Sequence, residues 1–381
     1  MYRSRMTVIH IFWSLSFGGI ETMLINIANA QVEQNANVHV MIINDLYDDE
    51  LLRKFDRRIV VHLIHRKCGS KSLSFAFRMN KLLANVAPDA IHIHMSKFYK
   101  LIWPGRLRRI TCVTLHDLPR GSVKPDRILY RLFPILGLYD SGNVIFIDKV
   151  PAVFAISDAV KDELWQKYNI NSIVVNNGIL TQVFRHRLNM PIGEVMNVVM
   201  VSRLEHNKKG QDLLIRAVAI LQGKIHVTFI GEGKSRFFLE NLTRELNVEK
   251  YIHFLGVQSQ SYIAEHLCDY DLFVQPSRRE GFGLTVAEAM ASKLPVLVSA
   301  GQGPAEVTCG NCYGWVFENG SVDDLAKQLN YIYSHYDDAL SKANRALQYV
   351  CRTYDVSVTA KKYLKLYQQM NESRGNIDRL F

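Results

Sequence analysis

Thirteen short apolar, β-branched segments alternate with helical stretches along the whole of this chain, and that alternation restricts the fold class before any single residue is considered. The strand candidates are 6–12, 37–43, 59–64, 89–94, 110–115, 152–156 and 172–176, then 195–202, 224–230, 251–255, 271–275, 295–299 and 314–317. Between them, stretches such as Gly19–Ala30, Ser157–Tyr168 and Gln211–Leu221 repeat apolar residues at helical spacing. Apolar strands separated by amphipathic helices are what parallel sheets require, because the crossover helices cover both faces. Thirteen strands suit two sheets better than one. Arg185, His186, Arg187, Pro191 and Gly193 interrupt both patterns, which predicts domains at 1–188 and 189–355. A last helix, about 356–373, carries Tyr363 and Tyr367 and is expected to pack back on the first domain, with a mobile tail after Ser373. The expected fold is α/β, with two doubly wound parallel sheets whose ligands bind at the carboxyl ends of the strands, in a cleft between the domains.

Charge is unevenly placed. Residues 1–150 hold 21 Lys and Arg against 12 Asp and Glu, which accounts for +9 of the net +10. A half this basic is either a solvated surface or a face for nucleic acid, anionic lipid or a phosphorylated acceptor. The segment Arg127–Tyr139 joins basic residues to an apolar stretch, and is either core or a membrane-docking surface. No apolar run reaches the length of a bilayer span. The apolar start at Met6–Leu15 contains His10 and leads into a helix, so it reads as a buried strand rather than a signal peptide. Six scattered cysteines favour reduced thiols and a cytoplasmic location. Cys309 and Cys312 have metal-like spacing but no second pair near them, and fall in a Gly-Asn turn that reads as plain loop.

The strongest chemical signal lies at Arg279–Ala291. Gly281 and Gly283 free the backbone before a helix, whose amides can then receive a phosphate. Glu280 and Glu288 flank that start, about 12 Å apart at most if every step rises helically. A strand also ends at Arg203, and Lys209–Gly210 precedes the next helix, so two cations at a strand end could hold a diphosphate. Gly231-Glu232-Gly233 and Gly18-Gly19-Ile20-Glu21 place further glycine turns before helices, and Asn177-Gly178 reads as a turn. His116-Asp117 puts an imidazole at the end of the fifth strand. His92 and His94 share a strand face and read as a packed or hydrogen-bonded pair. Asp269 and Asp271, which imitate a metal-binding pair, run straight into a strand and read as its start.

In this order, Gly18-Gly19-x-Glu21, His116-Asp117, Asn177-Gly178, Arg203 with Lys209-Gly210, Gly231-x-Gly233, Pro276-Ser277 and the glutamates at 280 and 288 resemble the family 4 retaining glycosyltransferases of the GT-B fold. The resemblance covers nearly the whole chain. It implies an N-terminal acceptor-binding and a C-terminal nucleotide-sugar-binding Rossmann-like domain, and metal-independent hexosyl transfer without a cofactor. Arg203, Lys209 and the amides of Gly281, Phe282, Gly283 and Leu284 would stabilise the leaving diphosphate. Glu280 would hold donor-sugar hydroxyls near the reacting face, Glu288 the ribose, and His116 the sugar. Gly18 and Gly19 would border the phosphates and the acceptor, Gly231 would belong to the donor site, and Gly256 and Val257 would meet the base. The acceptor would be a saccharide or lipid-linked saccharide in polysaccharide or lipopolysaccharide synthesis, with no nucleic acid expected. Cys309-Gly-Asn-Cys312 departs from the acidic turn more usual there. An epimerase of the same fold is the alternative enzyme, and a nucleic-acid-binding protein the non-enzymatic one.

Overall fold

A computed structural model describes residues 5–16, 18–70, 72–123, 142–221 and 223–375. The chain divides into two units, one made of Met1–Gly178 with Val356–Phe381 and the other of Ile179–Asp355. Arg127–Tyr139 lies outside the described residues, as do residues 376–381 of the expected tail, whereas the last helix itself continues to Gly375.

The first unit contains β1 (Thr7–Phe12), β2 (Asn37–Asn44), β3 (Val60–Arg66), β4 (Ala90–Ile93), β5 (Thr111–Leu115), β6 (Ala152–Ala155) and β7 (Ile173–Val174). They form one sheet in the order β3-β2-β1-β4-β5-β6-β7, with every pairing parallel. β1 is buried from Val8 onward, as the apolar start of the chain requires. The helix Gly19–Glu33 supplies the first crossover, and the helix Val356–Gly375 packs against it. Gln34 Nε2 donates to the Ser357 carbonyl at 2.8 Å, and Tyr363 and Tyr367 are buried. The chain leaves this unit at Gly178 and returns to it at Val356, and a Cβ on Gly178 would stand 2.6 Å from Val356 Cα, so Asn177-Gly178 serves a close crossing of backbones.

The second unit contains β8 (Met196–Val201), β9 (Ile225–Ile230), β10 (Ile252–Gly256), β11 (Leu272–Gln275), β12 (Val296–Ser299) and β13 (Trp315–Phe317). Their order is β10-β9-β8-β11-β12-β13, again all parallel. A core of Val198, Leu214, Val218, Phe229 and Leu272 joins this sheet to its helices.

The division falls about ten residues before the expected boundary at 188. Side-chain chemistry explains the difference. Arg187 is only 8% exposed and pairs with Asp271, donates from Nε to the Tyr270 carbonyl at 2.7 Å, and donates its backbone N–H to Ser292 O at 2.8 Å. A segment that reads as a polar linker is thus pinned into the second unit by a buried ion pair, a device that composition does not reveal.

Candidate functional site

In each sheet the strand order reverses about the first strand, and the crevice beyond the strand ends at that reversal is where open α/β folds bind ligands. In the second unit the reversal lies between β8 and β11. β8 runs into Ser202-Arg203 and β11 into Pro276–Glu280, so both chemically loaded loops emerge side by side.

Three contacts rivet them. Lys208 O accepts from the backbone N–H of Arg278 at 2.9 Å and of Arg279 at 3.2 Å. The Arg278 guanidinium grips Asp212 with two bonds of 2.7 and 2.8 Å and donates to His206 O at 2.8 Å. Gly210 lies against Pro276 so closely that a Cβ would stand 1.9 Å from its carbonyl oxygen, and its φ of +74° is left-handed, so only glycine fits. Arg278 and Asp212 escape sequence reasoning, because nothing along the chain pairs residues 66 apart.

The consequence is a direct ion pair between Lys209 Nζ and Glu280 Oε2. Glu280 is fixed further by its neighbours. Its N–H donates to Gln302 Oε1 at 3.0 Å, and its carbonyl accepts from Gly303 N at 3.0 Å. Gln275, at the end of β11, donates to Ser277 Oγ at 2.9 Å and reaches Glu280 Oε2 at 3.5 Å, while Thr285 Oγ1 donates to Gln275 Oε1 at 3.4 Å. Gln275 and Gln302 are further contributors that motif reading overlooks. Arg203 is exposed, and its carbonyl is held by Gln211 Nε2 at 2.8 Å.

The helix Leu284–Ala291 begins at Gly283, whose φ is +102° and whose missing side chain admits Pro304 Cγ at 3.0 Å from the Cβ position. Gly283 therefore turns the backbone into the helix start that the sequence predicts, with the positive dipole end of the helix at that turn. Phe282 is buried, edge-to-face with Tyr354 at 5.5 Å, so its side chain serves packing and only its backbone faces the loop's task. Glu288 is buried within the helix and accepts from Gln260 Nε2 at 2.9 Å; burial pushes its pKa up to about 6, with the Gln260 bond opposing. Around the next strand ends, Leu204 N donates to Glu232 O at 3.0 Å and Gly231 N to Gly256 O at 2.7 Å, which stacks the Arg203, Gly231 and Gly256 loops; Val257 is 70% exposed.

Asp269 and Asp271 are spent on ion pairs. Asp271 holds Arg187 and accepts from Asn197 N at 2.8 Å, and Asp269 meets Arg185 at 2.9 Å and His266 at 2.8 Å. β11 starts immediately after them, which agrees with their reading as a strand start.

In the first unit the reversal lies between β1 and β4, and the register of that pair sets His10 beside His92. The expected His92–His94 pair is thereby part of a larger buried network. Gln31 Oε1 meets His10 Nε2 at 2.8 Å, His10 Nδ1 meets His94 Nε2 at 3.1 Å, and His94 Nδ1 meets His116 Nε2 at 3.0 Å. With the amide so oriented its oxygen only accepts, so each neutral ring in turn donates from Nε2 and accepts at Nδ1. His116 Nδ1, at the end of the chain, is enclosed and has no hydrogen-bond partner among the described residues. Burial lowers the pKa of His10 and His116 to about 4 and holds His92 and His94 well below the ordinary imidazole value. Donor atoms of His10, His92 and His94 lie within 4.8 Å of one another, yet His92 gives both nitrogens to hydroxyls, Tyr367 at 2.6 Å and Thr114 at 2.8 Å. Gly18 caps the helix Gly19–Glu33, with Thr22 N donating to its carbonyl at 3.2 Å. Cys309 and Cys312 are exposed and occupy the expected turn, Cys312 N donating to Cys309 O at 3.2 Å. Among the described residues no helix is long and apolar enough to cross a membrane.

Comparison with known proteins extends these observations. Residues 17–183 match the family described as Glycosyltransferase Family 4, and residues 193–348 that described as Glycosyl transferases group 1. An uncharacterised glycosyltransferase of Methanocaldococcus jannaschii is 25% identical over 72% of this chain and 74% of its own length. The N,N'-diacetylbacillosaminyl-diphospho-undecaprenol alpha-1,3-N-acetylgalactosaminyltransferase of Campylobacter jejuni is 30% identical over 48% of this chain and 47% of its own. Among solved structures, Anabaena HepE in complex with UDP and glucose superposes with a TM-score of 0.75 at 20% identity, covering 96% of this chain and 100% of that one. Two matches that together span most of the sequence, on two parallel-sheet domains of the GT-B type, identify this chain as a glycosyltransferase enzyme belonging to family 4.

Proposed function

We propose that the chain is a retaining, metal-independent glycosyltransferase that moves a hexosyl group from a nucleotide-diphosphate sugar to a saccharide or lipid-linked saccharide, in the synthesis of a cell-surface polysaccharide or lipopolysaccharide. The observation that supports this reading is the riveting of the Arg203–Gly210 loop to the Pro276–Gly283 loop, which brings the Lys209–Glu280 ion pair beside the strand end that carries Arg203 and beside the loop that leads into the helix Leu284–Ala291.

Each part has a task in breaking the bond between the anomeric carbon and the diphosphate. Arg203, Lys209 and the amides of Gly281–Leu284 neutralise charge as it gathers on the departing diphosphate, which is the work a divalent ion performs elsewhere. Glu280 faces the positive charge that develops on the sugar, and its hydrogen bonds hold it in place. Glu288 takes the ribose hydroxyls, the Gly256-Val257 backbone the base, and Gly231 and Gly18-Gly19 border the phosphates. His116 offers the lone pair of Nδ1 to a sugar hydroxyl. The name of the Campylobacter relative, an α-1,3 transferase to an undecaprenyl-linked sugar, supports a lipid-linked acceptor. The basic first half, with reduced cysteines, fits a cytoplasmic protein attached at the periphery of an anionic membrane face.

Thermal unfolding with a panel of nucleotide sugars tests the donor, since a bound ligand stabilises by mass action. One donor should raise the midpoint and then yield a glycoside when acceptor is supplied. A donor that is isomerised without acceptor would instead identify an epimerase, and no shift with any donor would refute the reading.

A further inference from the structure

Residues 66–116 contain ten Lys and Arg and one acid, Asp89. That acid is occupied, because its Oδ2 accepts from Thr7 N at 2.7 Å. The same stretch exposes two large aromatic side chains, Phe77 at 63% and Trp103 at 40%, whose rings meet edge to face with centroids 4.5 Å apart.

The pair is held at the surface by a buried clamp. Asn80, on the helix Ser74–Val86, accepts from Trp103 N at 2.9 Å and donates to the carbonyls of Ala76 and Leu101, both at 2.8 Å. A buried amide with its bonds satisfied fixes the Trp103 segment against the helix. Phe77 and Trp103 then cover one another and leave their outer faces in water, apolar aromatic surface that burial would stabilise. Arg78 and Lys81 are exposed on the same helix, and Arg106 and Arg109 are exposed on the helix Gly105–Arg109 that begins two residues after Trp103.

We propose that this surface docks the first unit on an anionic lipid bilayer, with the Phe77–Trp103 pair at the headgroup level and Arg78, Lys81, Arg106 and Arg109 on the acidic lipids around it. Trp103, an apolar ring with a polar N–H edge, favours the membrane interface, Phe77 adds apolar area beside it, and a basic residue near an acidic surface contributes about fivefold in partitioning. Double-stranded nucleic acid would use the charges but gain nothing from the ring pair. The proposal rests on the peripheral attachment included in the proposed function and not on its transfer chemistry, and it places membrane contact on residues other than Arg127–Tyr139.

The test is sedimentation of the full chain with phosphatidylcholine vesicles, with and without phosphatidylglycerol, together with fluorescence quenching by brominated lipid. Binding should require the acidic lipid and weaken with salt. Replacing Arg78 and Arg106 by Ser should lower partitioning by about thirtyfold, and Phe77→Ser with Trp103→Ser by about tenfold or more. Both variants change exposed side chains, and an unchanged unfolding midpoint verifies their fold. Trp103→Phe should remove the lipid-quenched emission, whereas Trp165→Phe, which removes a tryptophan 52% exposed elsewhere in the first unit, should leave it. Equal binding to neutral vesicles, unimpaired binding by the Phe77/Trp103 variant, or salt-sensitive binding of duplex DNA that this variant retains while vesicles are ignored, would each overturn the proposal. A quenched Trp165 with an unquenched Trp103 would do the same.

Discussion

Lys209 and Glu280 form an ion pair with side chains only 15% and 16% exposed, so a cation assigned to the leaving group and a carboxylate assigned to the sugar hold each other in place. The pairing explains why the two loops must be riveted. A donor entering between them would exchange this contact for its own diphosphate and hydroxyls, and each residue would then act in a position preset by the other. Residues coupled in this way give non-additive effects. Glu280→Gln and Lys209→Met should each lower turnover by about a hundredfold or more, and the double variant should fall short of the product of the two. Strict multiplication of the two losses would mean that the residues act separately.

Arg203 differs from Lys209 in being exposed, with only its backbone fixed. Its side chain is free to meet a diphosphate at the strand end, and Arg203→Ala should reduce turnover on the order of a hundredfold at saturating donor, without loss of stability. The same argument predicts that transfer survives excess chelator. Near-normal transfer by the variant would remove Arg203 from the site, and activity lost to chelator and restored by magnesium would remove metal independence.

The retaining chemistry proposed above makes a stereochemical prediction. An α-linked donor should give an α-linked product, read from the anomeric coupling by NMR. Glu280→Gln should remain folded, since Gln302 and Gly303 bind its backbone rather than its carboxylate. An inverted product would refute retention.

Much of this was legible in the chain. All thirteen strands stand where the apolar segments predict, because parallel strands covered by crossover helices read as apolar runs, most fully in the central strands and least in β3, β7 and β10, which are only partly buried. The Gly283 helix start, Lys209-Gly210 and Glu280 announce themselves because glycine and charge at a strand end have few other reasons to coincide. What remained hidden depends on contacts across sequence. Arg278 gripping Asp212, Arg187 gripping Asp271, and the third histidine supplied by β1 all arise from strand register and loop packing, which local spacing does not encode. The same limit explains the boundary moved from 188 to 178.

Glu288 makes a prediction about stability. Its folded pKa is pushed up from 4.5 to about 6 chiefly by burial, so the native state holds a proton more tightly than the unfolded chain does. Stability from this group is therefore full below about pH 4.5 and declines as pH rises toward 6, a loss of roughly 2 kcal/mol that persists at neutral pH. Glu288→Gln keeps an acceptor and a donor beside Gln260 without the buried charge. It should unfold at higher temperature than the parent at pH 7.5, with the gap closing toward pH 4.5, while binding the donor more weakly. A gap that widens on acidification would show that Glu288 is not the source.

The histidine network makes the opposite demand. His10 and His116 are lowered from 6.5 to about 4 by burial, and His92 and His94 are lowered well below 6.5, so the unfolded chain takes up protons that the native first unit refuses. Stability is then complete above about pH 6.5 and is lost as pH falls toward 4, by about 1.4 kcal/mol per pH unit for each histidine involved. Several acting together should make the unfolding midpoint fall steeply across that window. His94→Asn, which breaks the chain between His10 and His116, should lower the midpoint at neutral pH and flatten its dependence on acid. A midpoint independent of pH between 6.5 and 4.5 in the parent protein would mean that the four rings are not buried as neutral imidazoles, and would remove the assignment of His116 Nδ1 as a hydroxyl acceptor.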